Sequence, residues 1–234
     1  MAAIIKRELS SYFNSAVGFI VLAVFTFFSG RFFYIYCLYY DNASLSNVFS
    51  GMIMIIVFLV PLMTMKSFAE EKRRKTDQAL LTAPVSLVGI VMGKFIACFI
   101  LYALCSAVFL IYAVIISFFT APDWVIILTT LFGILLMGAA LIAIDLFISA
   151  LTESQAVAAI FAIGAGLLIY MIDTLASHID LSFVQRILYS ISFSRNFLPF
   201  SYGIVALSGV IFFLSVAGLF LFLCVRVFEK RRWS

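Results

Sequence analysis

Six apolar runs leave this chain few folds to choose from. They occupy approximately residues 17–39, 48–66, 90–119, 125–150, 155–176 and 203–225. A helix needs about 20 mostly apolar residues to cross the roughly 30 Å hydrocarbon layer of a bilayer. The chain is therefore predicted to be an all-α polytopic membrane protein, with six transmembrane helices in a single domain over 1–234. The third run exceeds one crossing, so it is expected to tilt or to project from the bilayer. Only 11% of the 234 residues are charged, against about 25% in an ordinary soluble domain. No soluble domain of roughly 100 residues can be cut from what remains, and chemistry that needs water falls to a partner.

Lysine and arginine orient the spans, because cytoplasmic flanks carry the excess. Lys6, Arg7, Lys66, the run Lys72, Arg73, Arg74 and Lys75, Lys94, and the tail residues Arg226, Lys230, Arg231 and Arg232 fall on one side. The other side holds Arg186 and Arg195, and Arg31 lies inside the first span. Both termini and the segment 67–89 are thus expected in the cytoplasm. The same distribution accounts for the net charge of +4 through the lipid bilayer, without a nucleic-acid partner. No cleavable signal pattern follows the N-terminal charges, so that end is expected in the mature protein. Cys37, Cys98, Cys105 and Cys224 all lie in apolar runs and form no C-x-x-C pair, which predicts packing residues in place of a zinc site or disulfides.

Two further segments have the pattern of helices lying on the membrane. Within residues 1–16, a step of 100° per residue gathers Ile4, Ile5, Leu9, Tyr12 and Phe13 on one half of the wheel and Lys6, Arg7, Ser10 and Asn14 on the other. That predicts an interfacial helix leading into the first span. Within 177–202, Phe183, Val184, Ile187, Leu188 and Ile191 share one arc, with Pro199 expected to end the run. An external amphipathic helix or a re-entrant pair should cap the last two spans.

The segment EEKRRKTDQALLTAPVS, residues 70–86, carries the densest charge. Glu70 and Glu71 precede Lys72 to Lys75, the order that suits the macrodipole of a short helix; Thr76 can cap a following turn with Leu80 and Leu81, before Pro84. Read from charge alone, the segment could equally be a loop that does no more than fix topology. Its pattern, EE-basic-x-T-x-x-x-LL-T-x-P-V-S followed by Gly93-Lys94, resembles the first cytoplasmic loop of ABC-2 type transporter permeases. The similarity is greatest to the branch that includes the gliding-motility permease subunit and the permease serving nitrous-oxide reductase maturation, and the layout agrees along the whole chain. The resemblance implies that the loop is a coupling helix docked on a separate ATP-binding subunit, with Glu70, Glu71, Arg73, Arg74 and Thr76 on its polar side and Leu80, Leu81 and Pro84 as the apolar anchor. It also implies a second permease chain, identical or related, and export as the direction of transport. An extracytoplasmic auxiliary protein is a further partner in that branch. ATP and magnesium would be bound by the partner subunit, with no cofactor in this chain and a prokaryotic plasma membrane as its location.

Other chemistries fit less well. Gly89-Ile-Val-Met-Gly93-Lys94-Phe95 falls short of a P-loop by one residue between the glycines and by Phe where Ser or Thr belongs; close helix packing with an interfacial lysine fits it better. No catalytic motif is evident. An intramembrane metalloprotease would need several histidines, and the chain has only His178, read as a polar residue at the outer end of a span. The alternative function is an ion-coupled secondary carrier or channel working without an ATPase, which would lean on charge buried in the spans. The candidates are Arg31 and Asp145, with Asp173 as a further polar residue inside a span. At 1.5 Å per residue, Arg31 lies roughly 21 Å and Asp173 roughly 27 Å from the inner boundary of their spans, and Asp145 within about 8 Å of its own. Similar depth predicts an Arg31–Asp173 pair, and Asp145 is expected to be an interfacial carboxylate facing the cytoplasm. Gly133, Gly138, Gly164 and Gly166 should let helices approach closely.

Overall fold

Ser15 and Gly18 shape the turn into the first span. The computed structural model describes residues 2–40, 44–73, 75, 86–178 and 182–233, the side chains of Ser182, Arg232 and Trp233 excepted. Helix α1 (Ala2–Phe13) stops just before Ser15, whose extended backbone (φ −112°, ψ 156°) opens α2 (Ala16–Phe33). The corner is tight: a β-carbon on Gly18 would stand 2.6 Å from the Tyr12 carbonyl oxygen, so only glycine fits. A π-helical stretch, Tyr34–Tyr39, completes the first span.

The second span is α3 (Ser46–Thr64) followed, after a break at Met65–Phe68, by the short α4 (Ala69–Arg73). Pro61, in the last turn of α3, has no N–H to give and weakens the helix just before the break. Ser86 starts α5 (Leu87–Ser106) by accepting a hydrogen bond from Gly89 N at 3.1 Å. The third apolar run is overlong as expected, at 31 residues over Leu87–Ser117, and it is interrupted at one point. It divides at Ala107 into α5 and α6 (Val108–Ser117), where Leu110 N reaches back only three residues to Ala107 O (3.0 Å), a tighter turn than the α-helix makes. Asp123 Oδ1 accepts from Val125 N and Ile126 N at the start of α7 (Trp124–Leu151). Then come α8 (Gln155–Ser177), α9 (Ser182–Ser190), α10 (Phe193–Ser201) and α11 (Leu207–Trp233).

Among the described residues every regular element is helical. Six stretches are long and apolar enough to cross a membrane: Ala16–Tyr39, Ser46–Arg73, Leu87–Ser117, Trp124–Leu151, Gln155–Ser177 and Leu207–Arg231. Each contains the core of a predicted run, with ends shifted by a few residues.

The fourth span, α7, is the most enclosed of the six and packs against α3, α5, α10 and α11. Small residues make this possible. A β-carbon on Gly138 would come within 2.1 Å of the Tyr102 ring, one on Gly133 within 2.8 Å of Phe200, and one on Gly166 within 2.9 Å of Val57. Gly164 departs from expectation, since a β-carbon there would meet nothing within 4 Å. All four cysteines are buried and free, consistent with packing roles.

At the end of the bundle opposite the termini, α9 and α10 form a helix pair. Pro199 does not end the amphipathic run; it sits inside α10, a second helix that begins at the Ser192 cap, where Ser192 Oγ accepts from Arg195 N at 3.1 Å. Thr129 and Thr130 of α7 both donate to Phe200 O at 3.1 Å, and Gln185 of α9 donates to Ala176 O at 3.3 Å. Those bonds fasten the pair to α7 and α8.

The expected Arg31–Asp173 pair does not form. Asp173 Oδ1 lies 3.3 Å from Arg195 Nε without hydrogen-bond alignment, and Arg195 also stacks on Tyr189, 3.3 Å from the ring centre. Arg31 is exposed on α2. Depth along the bilayer was a poor guide because it ignores which helices are neighbours, and α3 packs against both α2 and α8. The Arg195 and Asp173 side chains are 52% and 29% exposed, so solvent screens the pair. Asp173→Asn should shift stability by less than about 1 kcal/mol, read as a small change in the thermal unfolding midpoint in detergent.

Candidate functional site

Lys94 is the organising residue at the end that holds the termini. Sequence predicts a lysine snorkelling to the interface; the structure buries it, with 1% of the side chain exposed. An ammonium group taken out of water needs full compensation, and three elements supply it. Its Nζ lies 2.9 Å from Glu8 Oε1 on α1, 2.9 Å from Glu71 Oε1 on α4, and donates at 2.7 Å to Ser67 O in the break between α3 and α4. Arg7 Nη2 closes the ring, at 2.7 Å from Glu8 Oε1 and 2.8 Å from Glu71 Oε1. Two cations and two carboxylates alternate, so each charge faces opposite charge on both sides.

Why α1 presents these groups follows from helix spacing. Glu8 and Tyr12 are four residues apart, on one face, and that face lies against α5. Tyr12 therefore points into the protein and not into lipid as its place on the apolar half-wheel suggested. Its hydroxyl donates to Met63 O at 2.8 Å and lies 3.2 Å from Cys98 Sγ. Burial, with the Cys98 thiol beside it, pushes the Tyr12 phenol well above its ordinary value, which keeps it a neutral donor. For Glu8, burial acts to raise the carboxyl; the charge of Lys94 and hydrogen bonds from Arg7 and Lys94 overcome it and hold the group below its ordinary value. Glu8 is thus a carboxylate in the folded protein at neutral pH. A cavity of about 560 Å³ opens beside the ring, bordered by Ser11, Ser15, Lys66 and Glu70.

The predicted coupling residues divide into two groups. Glu70, Glu71 and Arg73 are on α4, acids in its first turn and bases in its last, the order expected for its dipole. Arg74, Thr76, Leu80, Leu81 and Pro84 lie outside the described residues. The Glu71 carboxylate lies within 2.9 Å of both Arg7 Nη2 and Lys94 Nζ.

Asp145 is not the interfacial carboxylate that its depth suggested. Only 3% exposed, it faces α3 at Thr64, and no hydrogen-bond partner reaches its Oδ2 among the described residues. Distance from a span end measures depth alone, and α7 is enclosed on nearly every side. His178 follows α8, its Nδ1 2.7 Å from Thr174 O. Among the described residues no group of histidine, cysteine and carboxylates is arranged to hold a metal.

Sequence reasoning overlooked Glu8 and Ser67 and misjudged Lys94. Two signals were present: Glu8 is the only acid in α1, and Lys94 stands two turns inside its span.

Six crossing helices make this a multi-pass membrane protein. It belongs to the ABC-2 family of transporters: the family described as ABC-2 family transporter protein matches residues 2–233, nearly the whole chain. A comparison with curated proteins returned no match.

Proposed function

We infer that this chain is the permease subunit of an ATP-driven exporter, moved by a separate ATP-binding subunit that carries ATP and magnesium. The observation that carries this reading is the ring of Lys94, Glu8, Glu71 and Arg7, which makes α4 a rigid extension shared by α1 and the second and third spans. Segment 67–89 then docks on the ATP-binding subunit. Charge selects its orientation, and Leu80, Leu81 and Pro84 anchor it. When the ATP-binding subunits close, α4 tilts and the ring passes the movement into the bundle. Two permease chains, identical or related, line the path; both termini and the docking segment face the cytoplasm of a prokaryotic cell. The layout resembles that of the branch that includes the gliding-motility and nitrous-oxide reductase maturation permeases, and an extracytoplasmic auxiliary protein would meet the α9–α10 end. Family membership takes the weight from the ion-coupled carrier.

The test is purification of the tagged chain from its native membrane in mild detergent, with mass spectrometry of what remains bound and assay of ATP hydrolysis. An ATP-binding subunit should co-purify. Leu81→Asp should leave insertion and thermal stability unchanged, lower recovery of that subunit about tenfold or more, since a carboxylate in an apolar contact costs well over 1.4 kcal/mol, and uncouple any remaining hydrolysis from transport. Glu71→Arg is a poorer probe, because it places a third cation beside Arg7 and Lys94. A preparation reproducibly free of any ATPase overturns the reading.

A further inference from the structure

The break between α3 and α4 strands backbone groups near the bundle core, where water is scarce and every such group needs a partner. Met65 N pairs with Pro61 O and Ser67 N with Thr64 O, both at 2.9 Å, within the local turn. Among the described residues, Phe68 N, Ala69 N and Met65 O have no such local bond. All three are met by one side chain from another span. Ser149 Oγ, buried on α7, accepts from Phe68 N and from Ala69 N at 3.2 Å each, and its hydroxyl donates to Met65 O at 3.4 Å. A hydroxyl has one proton and two lone pairs, so Ser149 commits its whole capacity to the two sides of the break.

Helix α4 returns the contact. The stem of Lys72 is buried, and its Nζ donates to Ala150 O, one of the last carbonyls of α7, which have no acceptor role left within their own helix. Phe68, inside the break, packs against Phe228 of the sixth span, with ring centres 4.7 Å apart and the planes tilted by 47°. The segment joined covalently to the second span is therefore also fastened to the fourth.

We propose that Ser149, aided by Lys72, is a positioning residue that makes the inner end of the fourth span move with α4. A tilt of the coupling segment then reaches α7, the most enclosed span, directly as well as through the spans to which the segment is covalently attached. This rests on the permease reading above. It adds a transmission point that neither the loop motif nor the charge ring contains.

Hydrogen exchange read by mass spectrometry on the permease with its co-purified ATP-binding subunit tests this, comparing nucleotide-free and vanadate-trapped states. In the unsubstituted complex the amides of Phe68 and Ala69 should stay protected in both states, and exchange at Thr152–Ser154, the end of α7, should change on trapping. Ser149→Ala should lose protection at Phe68 and Ala69 and lose the response at Thr152–Ser154, with the subunit still bound. Ser149→Thr, which keeps the hydroxyl, should restore both; a merely structural role would not make the nucleotide response depend on that hydroxyl. Lys72→Met should weaken the response in the same direction. The proposal is overturned if Thr152–Ser154 respond equally in Ser149→Ala, or do not respond in the unsubstituted complex while ATP is hydrolysed. Both results leave the permease reading standing. Absence of any ATP-binding subunit overturns that reading and the transmission role together.

Discussion

Lys94→Met is expected to cost about 3 kcal/mol of stability, the scale seen when one partner of a buried ion pair is removed and the other stays. Methionine keeps the length and apolar stem but leaves Glu8 and Glu71 near each other with only Arg7 between them, and Arg7 is half exposed. Ser67 O also loses its donor. Part of the loss should return in the double variant Lys94→Met with Glu8→Gln, because the second change removes one of the stranded charges. Groups within one such network couple by about 0.5–3 kcal/mol. The measurement is a double-mutant cycle on thermal or denaturant unfolding in detergent or nanodiscs. Additive effects would mean that Lys94 and Glu8 act independently and that the ring is not a unit. Glu8→Gln alone should cost less than Lys94→Met, since Lys94 would keep Glu71 and the Ser67 carbonyl.

This ring also shows what the sequence reveals and what it hides. The six spans were legible because each is a long uninterrupted apolar run, and a bilayer imposes its thickness on any helix that crosses it. The charge order of α4 was legible for a local reason, the dipole. Neighbour relations were not. Arg31 and Asp173 share a depth, yet Asp173 pairs with Arg195, which lies only 22 positions further along the chain in the next helix pair. Asp145 and Lys94 were both placed at an interface by counting residues from a span end, and both are buried by the rotational setting of their helices, which a count cannot supply. Span 4 has apolar residues on all sides, so its hydrophobic pattern names no face. Ser149 could not stand out either: a serine near the end of an apolar run is ordinary, and its role comes from a break in a different span that leaves three backbone groups needing one hydroxyl.

Gly138→Leu should destabilise the bundle by about 3 kcal/mol, the upper part of the usual range for overpacking. Even the first added carbon would stand 2.1 Å from Tyr102 Cε1 and 2.4 Å from its Cζ, distances no side chain tolerates. The ring has little freedom to retreat: it is 2% exposed, its hydroxyl donates to Ile134 O at 3.0 Å, and the Tyr102 backbone carbonyl accepts from Ser106 Oγ at 3.0 Å. Tyr102 thus lies across α7 at the glycine, one turn from the carbonyl it holds, and the close approach of the third and fourth spans depends on both residues. A matched pair of changes separates this account from general sensitivity of the core. Tyr102→Ala alone should also destabilise, by about 3–5 kcal/mol, because it empties a packed volume. Combined with Gly138→Leu, the new side chain enters the space the ring has left, so the double variant should unfold at a higher temperature than the two single losses predict by addition. Tyr102→Phe should give no such relief, since it removes the hydroxyl and keeps the ring. If the double variant were as unstable as the sum, or if phenylalanine relieved the strain as well as alanine, the clash between ring and helix would not be what demands glycine at 138.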